Sequence, residues 1–215
     1  DSEEEFPSIE VAPFTAEQWN LYLAGFEGEE EQEDLRDAYS RHFRQEDGSL
    51  KALISVSPIH YKEAEEWKEI RVEVVSEESG YANQTNTLKA QFPVSSGETR
   101  ISDRQDRGFT WNLESANWTS REGERVTLWQ RQDVSARVEG NKIRYDEIFP
   151  GMSDQYEIRP GLVKHDLVLQ TRPELPGGVG CTFDISGILE LDSGLRFLVN
   201  GEPTTSSFTT QNLIS

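Results

Sequence analysis

Cysteine is almost missing from this chain: Cys181 stands alone among 215 residues. No disulfide can form within the chain, and a zinc site would have to gather three scattered histidines, His42, His60 and His165. The close-spaced pairs that metal ligands usually form are lacking, so neither a metal nor a cofactor is expected. This scarcity suits the cytoplasm and many bacterial surface proteins equally. Apolar residues make up only 34% of the chain, and no apolar run approaches the roughly 20 residues needed to cross a bilayer. Membrane insertion is not expected. Methionine occurs once, as Met152, and the chain starts at Asp1, which fits a processed or excised piece from which any secretory signal is gone. The first 35 residues lack Lys and Arg altogether but hold twelve Asp or Glu, so the other 180 carry −7 of the net charge of −19. With no basic stripe anywhere, phosphate backbones and anionic membrane surfaces are repelled, and nucleic acid is excluded as an expected partner.

What the chain does have is period-two patterning. Residues 1–37 read as an acidic N-terminal arm, with "FPSIEVAPF" extended between prolines. A short helix follows at "TAEQWNLYLAG", where Thr15 and Gln18 match a capping box and Gly25 can end the turn. From residue 38 to 215 the pattern predicts a β domain. Leu50, Ala52, Ile54 and Val56 share one predicted face; so do Ile70, Val72 and Val74; Leu88, Ala90, Phe92 and Val94; and Phe109, Trp111 and Leu113. Asp47-Gly48, Gly140-Asn141, Pro160-Gly161, Asp192 to Gly194 and Asn200-Gly201 supply turns between short runs. Many short strands without intervening helices predict an all-β chain, an antiparallel β-sandwich with a short N-terminal helix. The polar stretch 94–108 marks an internal boundary if the domain is two stacked subdomains.

Catalytic templates are weak. There is no GxSxG elbow, HExxH or Walker loop, and "GGVGC" at 177–181 lacks the flanking unit of a dinucleotide site. Sugar hydrolysis needs two carboxylates across a cleft, and among 40 acids Asp154, Glu157 and Asp166 are the best nominees. Aromatic residues are more prominent: Trp67, Trp111, Trp118, Trp129, Tyr81 and Tyr156 mostly fill a core short of aliphatics, with Trp111 in phase with Phe109 and Leu113. Trp118, in the loop-like "ESANWTSREGE", and Tyr81 are the candidate ligand-binding rings, for a glycan or peptide. Asn83 and Asn117 head N-glycosylation triplets. In "NKIRYDEIFPGMSDQYEIRPGLVKHDLVL", residues 141–169, Ile143, Tyr145, Tyr156, Ile158, Val163, Leu167 and Leu169 form the predicted buried side, with His165 in phase. Asp146, Asp154, Lys164 and Asp166 are expected on the alternate, solvent face.

Three segments together carry a family likeness. Asp47, Gly48, Pro58, His60, Tyr61, Lys62, Trp67 and Ile70 form the first, then Gly80, Tyr81, Asn86, Phe92 and Pro93, then Pro150, Gly151, Tyr156, Gly161, Lys164 and Leu169. The chain resembles, over roughly residues 38–200, an N-terminal β-rich module of large secreted bacterial surface proteins that carry Rhs/YD-repeat or DNRLRE-type regions. It departs from that pattern where Met152-Ser153 displaces an acid to Asp154, and where His165 replaces the acid after Lys164. The resemblance implies an extracellular, non-catalytic module whose motif residues are structural. Expected partners are neighbouring domains of a longer chain or copies of itself, with the arm adding a strand to a neighbouring sheet edge. A carbohydrate-binding module is the alternative, and a glycoside hydrolase the third reading.

Overall fold

The structure, a computed structural model, describes residues 30–171, 181–199 and 202–204. Among these the chain is all-β, in several antiparallel sheets, with a single 3-10 turn at Glu33–Leu35 and no α-helix. The expected helix at 15–25, the arm at 1–14 and the Asn200-Gly201 turn lie outside the described residues.

A three-stranded sheet comes first, ordered β1 (Glu30–Glu31), β2 (Ser40–Arg44), β3 (Leu50–Ile54). The hairpin β4 (His60–Glu63) and β5 (Glu66–Glu69) follows. Next, β6 (Val75–Glu77), β7 (Gly80–Asn83), β8 (Lys89–Phe92), β9 (Thr99–Ser102), β10 (Gly108–Thr119) and β11 (Arg125–Gln130) join in one seven-stranded sheet. The twelve-residue β10 is its spine, pairing with β9 along its first half and β11 along its second. The other side of β10 pairs with β16 (Thr182–Leu191). Between β11 and β16 in sequence, β12 (Ala136–Glu139), β13 (Lys142–Phe149), β14 (Met152–Arg159) and β15 (Leu162–Leu169) form a four-stranded meander. A last small hairpin joins β17 (Phe197–Val199) to β18 (Glu202–Thr204).

The main core draws on both large sheets. Ala90, Phe92 and Leu113 on one side are buried with Ile143, Tyr145, Phe149, Tyr156 and Ile158 on the other. Each of the Leu, Ile and Phe side chains contributes about 1.5–3 kcal/mol on leaving water. The Phe92 and Tyr156 rings meet 5.2 Å apart between centroids at 55°. Polar clamps cross the same gap. The Tyr145 hydroxyl donates to Pro93 O at 2.8 Å. Asn86, wholly buried, donates through Nδ2 to Arg159 O at 2.8 Å and accepts at Oδ1 from Gly161 N at 2.9 Å. Gly161 (φ +70) turns β14 into β15, and a Cβ there would press on Pro58 Cγ at 3.2 Å. The turn therefore needs glycine twice over, for its backbone angle and for the space.

Period two placed the buried face correctly for Val72, Ala90, Phe92, Ile143 and Tyr156, but not for β3. There Leu50 is 52% exposed, Ile54 53% and Val56, just beyond the strand, 66%, while Leu53 is the buried residue. Leu53 packs inward with Phe43 of β2, because Arg41 pairs with Leu53 and Phe43 with Lys51 on that side. Alternation identifies two faces but not which one meets the core.

The motif residues around β4 and β5 pack on one another. Lys62 lies opposite Trp67 in the hairpin and sits 5.1 Å over its ring. Tyr61 is buried beneath the Arg104 guanidinium, 4.4 Å from the ring centroid. Asp47 accepts from Ser49 N at 2.9 Å and shapes the turn at Gly48. His60 is buried, with Nδ1 2.8 Å from Asp37 O. Burial, partly offset by that contact, lowers its pKa from the ordinary 6.5.

Because the unfolded chain then holds the proton more tightly than the fold, His60 contributes its full stability above about pH 6.5, and loses it as pH falls towards the lowered folded value. Urea midpoints measured from about pH 7 down to about pH 5 are expected to fall in the parent chain, and to fall less steeply in a His60→Gln variant. Equal slopes in the two chains would remove this role from His60.

Candidate functional site

The most site-like constellation in the described residues lies on the inner face of the four-stranded meander. Strand pairing sets Ile143 opposite Tyr156 and Tyr156 opposite His165, with Tyr145, Asp154 and Leu167 forming the next row. Asp154 precedes Tyr156 by two residues, so both point to the same face. His165 Nε2 reaches diagonally to Asp154 Oδ1, 2.5 Å away. The imidazole stacks on Tyr156, with centroids 4.6 Å apart at 16°, and meets the edge of Trp111 of β10 at 6.0 Å. The Asp154 side chain keeps 10% of its surface exposed and that of His165 29%. Asp154 is therefore not on the solvent face, as the charge pattern suggested. Its phase with Tyr156 and Ile158 was the sequence signal that would have placed it.

The buried carboxylate shapes its neighbourhood. Burial first, and the Asp154 charge second, push the Tyr145 and Tyr156 hydroxyls well above the ordinary phenol range, against a smaller opposing pull of Thr99 on Tyr156. Both phenols stay protonated and can act as donors. Among the described residues the only side-chain hydrogen bond of His165 is to Asp154. Chemically, the arrangement is a paired acid and imidazole roofed by two aromatic rings. It fastens β14 to β15 beneath Trp111.

The other nominated residues do not converge here. Glu157 and Asp166 share the opposite face of the meander, since Asp166 pairs with Gln155 rather than Tyr156. Glu157 binds Arg159 through both carboxylate oxygens, at 2.9 and 3.1 Å, which helps hold its pKa below the ordinary value. Lys164, in the resemblance motif, pairs with Asp166 at 2.6 Å. That outer face also carries a shallow groove of about 240 Å³, lined by Arg137, Glu139, Lys142, Arg144 and Gln155. The three histidines stay apart in bonding: His42 Nε2 meets Ser40 Oγ at 3.0 Å, His60 meets Asp37 O and His165 meets Asp154. No group of three or more His, Cys, Asp or Glu among the described residues could hold a metal ion. No described helix is long and apolar enough to cross a membrane.

Neither candidate ring lies on a loop. Tyr81 belongs to β7, half-buried against the core. Trp118 lies near the end of β10, between Val126 of β11 and Phe183 of β16, with its indole Nε1 buried and without a hydrogen-bond partner among the described residues. "ESANWTSREGE" misleads because Asn117, beside Trp118, is satisfied inside the sheet: Asn117 Nδ2 donates to Ser186 Oγ at 3.0 Å, and Asn117 Oδ1 accepts from Thr127 Oγ1 at 3.0 Å. Asn83 is likewise buried, donating to Arg71 O and Glu73 O. In the folded chain both sequon amides are engaged internally. Gly151 (φ +71) turns β13 into β14, with Thr171 Oγ1 2.6 Å from where its Cβ would lie.

Comparison with family models, with curated proteins and with solved structures finds no match to this chain.

If the His165 and Asp154 pair is a fastener, a His165→Phe variant keeps the ring stack but strands a buried carboxylate, and is expected to cost about 2 kcal/mol. Replacing Asp154 by Leu in that background is expected to recover part of the loss in a urea-denaturation double-mutant cycle. Strict additivity of the two substitutions would contradict the pairing.

Proposed function

We propose that this chain is an acidic, extracellular, non-catalytic β-sandwich module of a secreted or cell-surface bacterial protein, which works by docking a sheet edge on copies of itself or on neighbouring domains. Support for the sandwich comes from the single core shared by the seven-stranded sheet and the four-stranded meander. Support for a non-catalytic role comes from how the candidate chemical groups are spent: Asp154 and His165 on each other, Glu157 on Arg159 and Asp166 on Lys164. A hydrolase needs two carboxylates facing across a cleft, whereas Asp154 lies on one face of the meander and Glu157 and Asp166 lie on the other, each held by a neighbouring cation. The carbohydrate-binding reading rests on Trp118 and Tyr81, both half-buried strand residues. The secreted, bacterial setting rests on the family likeness alone.

The observation that carries the docking role is β3. It is the edge of its sheet, pairing with β2 on one side only among the described strands. Leu50, Ala52, Ile54 and Val56 line up along its exposed face. Sheet edges normally carry charge, proline or a bulge to prevent adventitious pairing, whereas the only charged residue within β3 is Lys51. A strand edge with no described neighbour, beside an aliphatic stripe, is the kind of surface that extended segments join.

Sedimentation of the intact chain over a wide concentration range is expected to report self-association, and Ile54→Lys to weaken it about tenfold or more, since burying one large aliphatic side chain contributes roughly 1.5–3 kcal/mol. A mass independent of concentration, or association indifferent to Ile54→Lys, overturns the role of this edge.

A further inference from the structure

Resting on that reading, we infer that the segment docking on β3 is residues 8–12 of the N-terminal arm of a second copy, added antiparallel as an extra strand. Length, pattern and charge all point to it. Pro7 and Pro13 bracket five residues, Ser8, Ile9, Glu10, Val11 and Ala12, enough to run opposite Leu53 to Ser49 and so cover four of the five residues of β3. Prolines at both ends fit a short strand on an edge, where a missing N–H is tolerated. Within the bracket, Ile9 and Val11 alternate with Glu10, as a strand requires if one face is apolar.

One antiparallel register satisfies both faces of β3. Setting Ile9 opposite Ala52 places Val11 opposite Leu50, so both aliphatic residues extend the exposed stripe. On the other face the same register sets Glu10 opposite Lys51, an acid against the only charge in the strand. A shift of one residue would turn Ile9 and Val11 away from the stripe and put Val11 opposite Lys51, losing both matches.

The arm must belong to a second copy if the edge is what joins copies, because an arm lying on its own β3 would close that edge. Its own edge is nonetheless within reach. Residues 13–29 can span roughly 55 Å when extended, against about 14 Å for the three strand spacings between β1 and an added strand beyond β3. Arm and edge are different surfaces, so the contact is heterologous and joins copies head to tail.

The test uses the whole chain with Cys181→Ser in every variant. One preparation carries Ile9→Cys and another Ala52→Cys; they are mixed and oxidised. A reducible cross-linked heterodimer that forms well above the homodimers of either variant alone is expected. The Ile9→Cys/Ala52→Cys double variant is expected to give a ladder of multimers. A monomer with an internal disulfide overturns the second copy in favour of the chain's own edge, and absence of any link between positions 9 and 52 overturns the docking itself. Charge exchange checks the register without cysteine: Glu10→Lys and Lys51→Glu are each expected to weaken association about two- to fivefold, and the combined variant to restore it. A combined variant no tighter than the single ones overturns the register. Association that responds to Ile54→Lys, but without any link between 9 and 52, would leave the edge reading standing and remove the arm.

Discussion

Burial of one face of β13–β15 against β8–β10 is the constraint on which the rest of the molecule depends. The chain is short of aliphatic side chains, so that interface is built largely from rings, Phe92, Tyr145, Phe149 and Tyr156 among them. Tyrosine brings a hydroxyl into the interior with it, and a buried hydroxyl without a partner costs roughly 1–3 kcal/mol. Tyr145 answers this by donating to Pro93 O on the facing sheet. Asn86 does the same in the other direction, holding Arg159 O and Gly161 N from the connection between β7 and β8. These bonds are directional where aliphatic packing is not. They tie specific positions of the two sheets together.

The His165 and Asp154 pair belongs to the same economy of polar groups. A carboxylate among Tyr145, Tyr156 and Leu167 is tolerable only if paired, and the imidazole supplies the pair while completing the stack from Tyr156 to Trp111. Its cost in desolvation makes it a weak source of stability and a better source of register: sliding β15 by one residue against β14 would send His165 to the opposite face. The outer face of the meander, by contrast, holds Lys142, Glu157, Lys164 and Asp166, as a solvated sheet face should.

Much of this was legible in the sequence, and the failures share a cause. The all-β class followed from period two and turn residues, and the buried identities of Phe92, Ile143, Tyr145 and Tyr156 followed from their phase. Exposure of Leu50 and Ile54 did not, since alternation is blind to which face has a partner; that information lies in the pairing of Arg41 with Leu53 and Phe43 with Lys51. Trp118 was misplaced on a loop because Asn117 beside it looks like loop chemistry when its partner Ser186, brought in by β16, is more than sixty residues away. Asp154 was misplaced by its charge, although its phase was right. Charge describes what a residue prefers, and phase where the strand puts it.

A core shared by two sheets implies that they open together. Native-state hydrogen exchange read residue by residue tests this directly. The amides of β8 to β10 and those of β13 and β14 are expected to reach the same maximal protection, to lose it at the same denaturant concentration, and to be weakened alike by Asn86→Ala, a change at the joint between them. A meander that exchanges at markedly lower free energy than the seven-stranded sheet, or that responds alone to Asn86→Ala, would contradict the account.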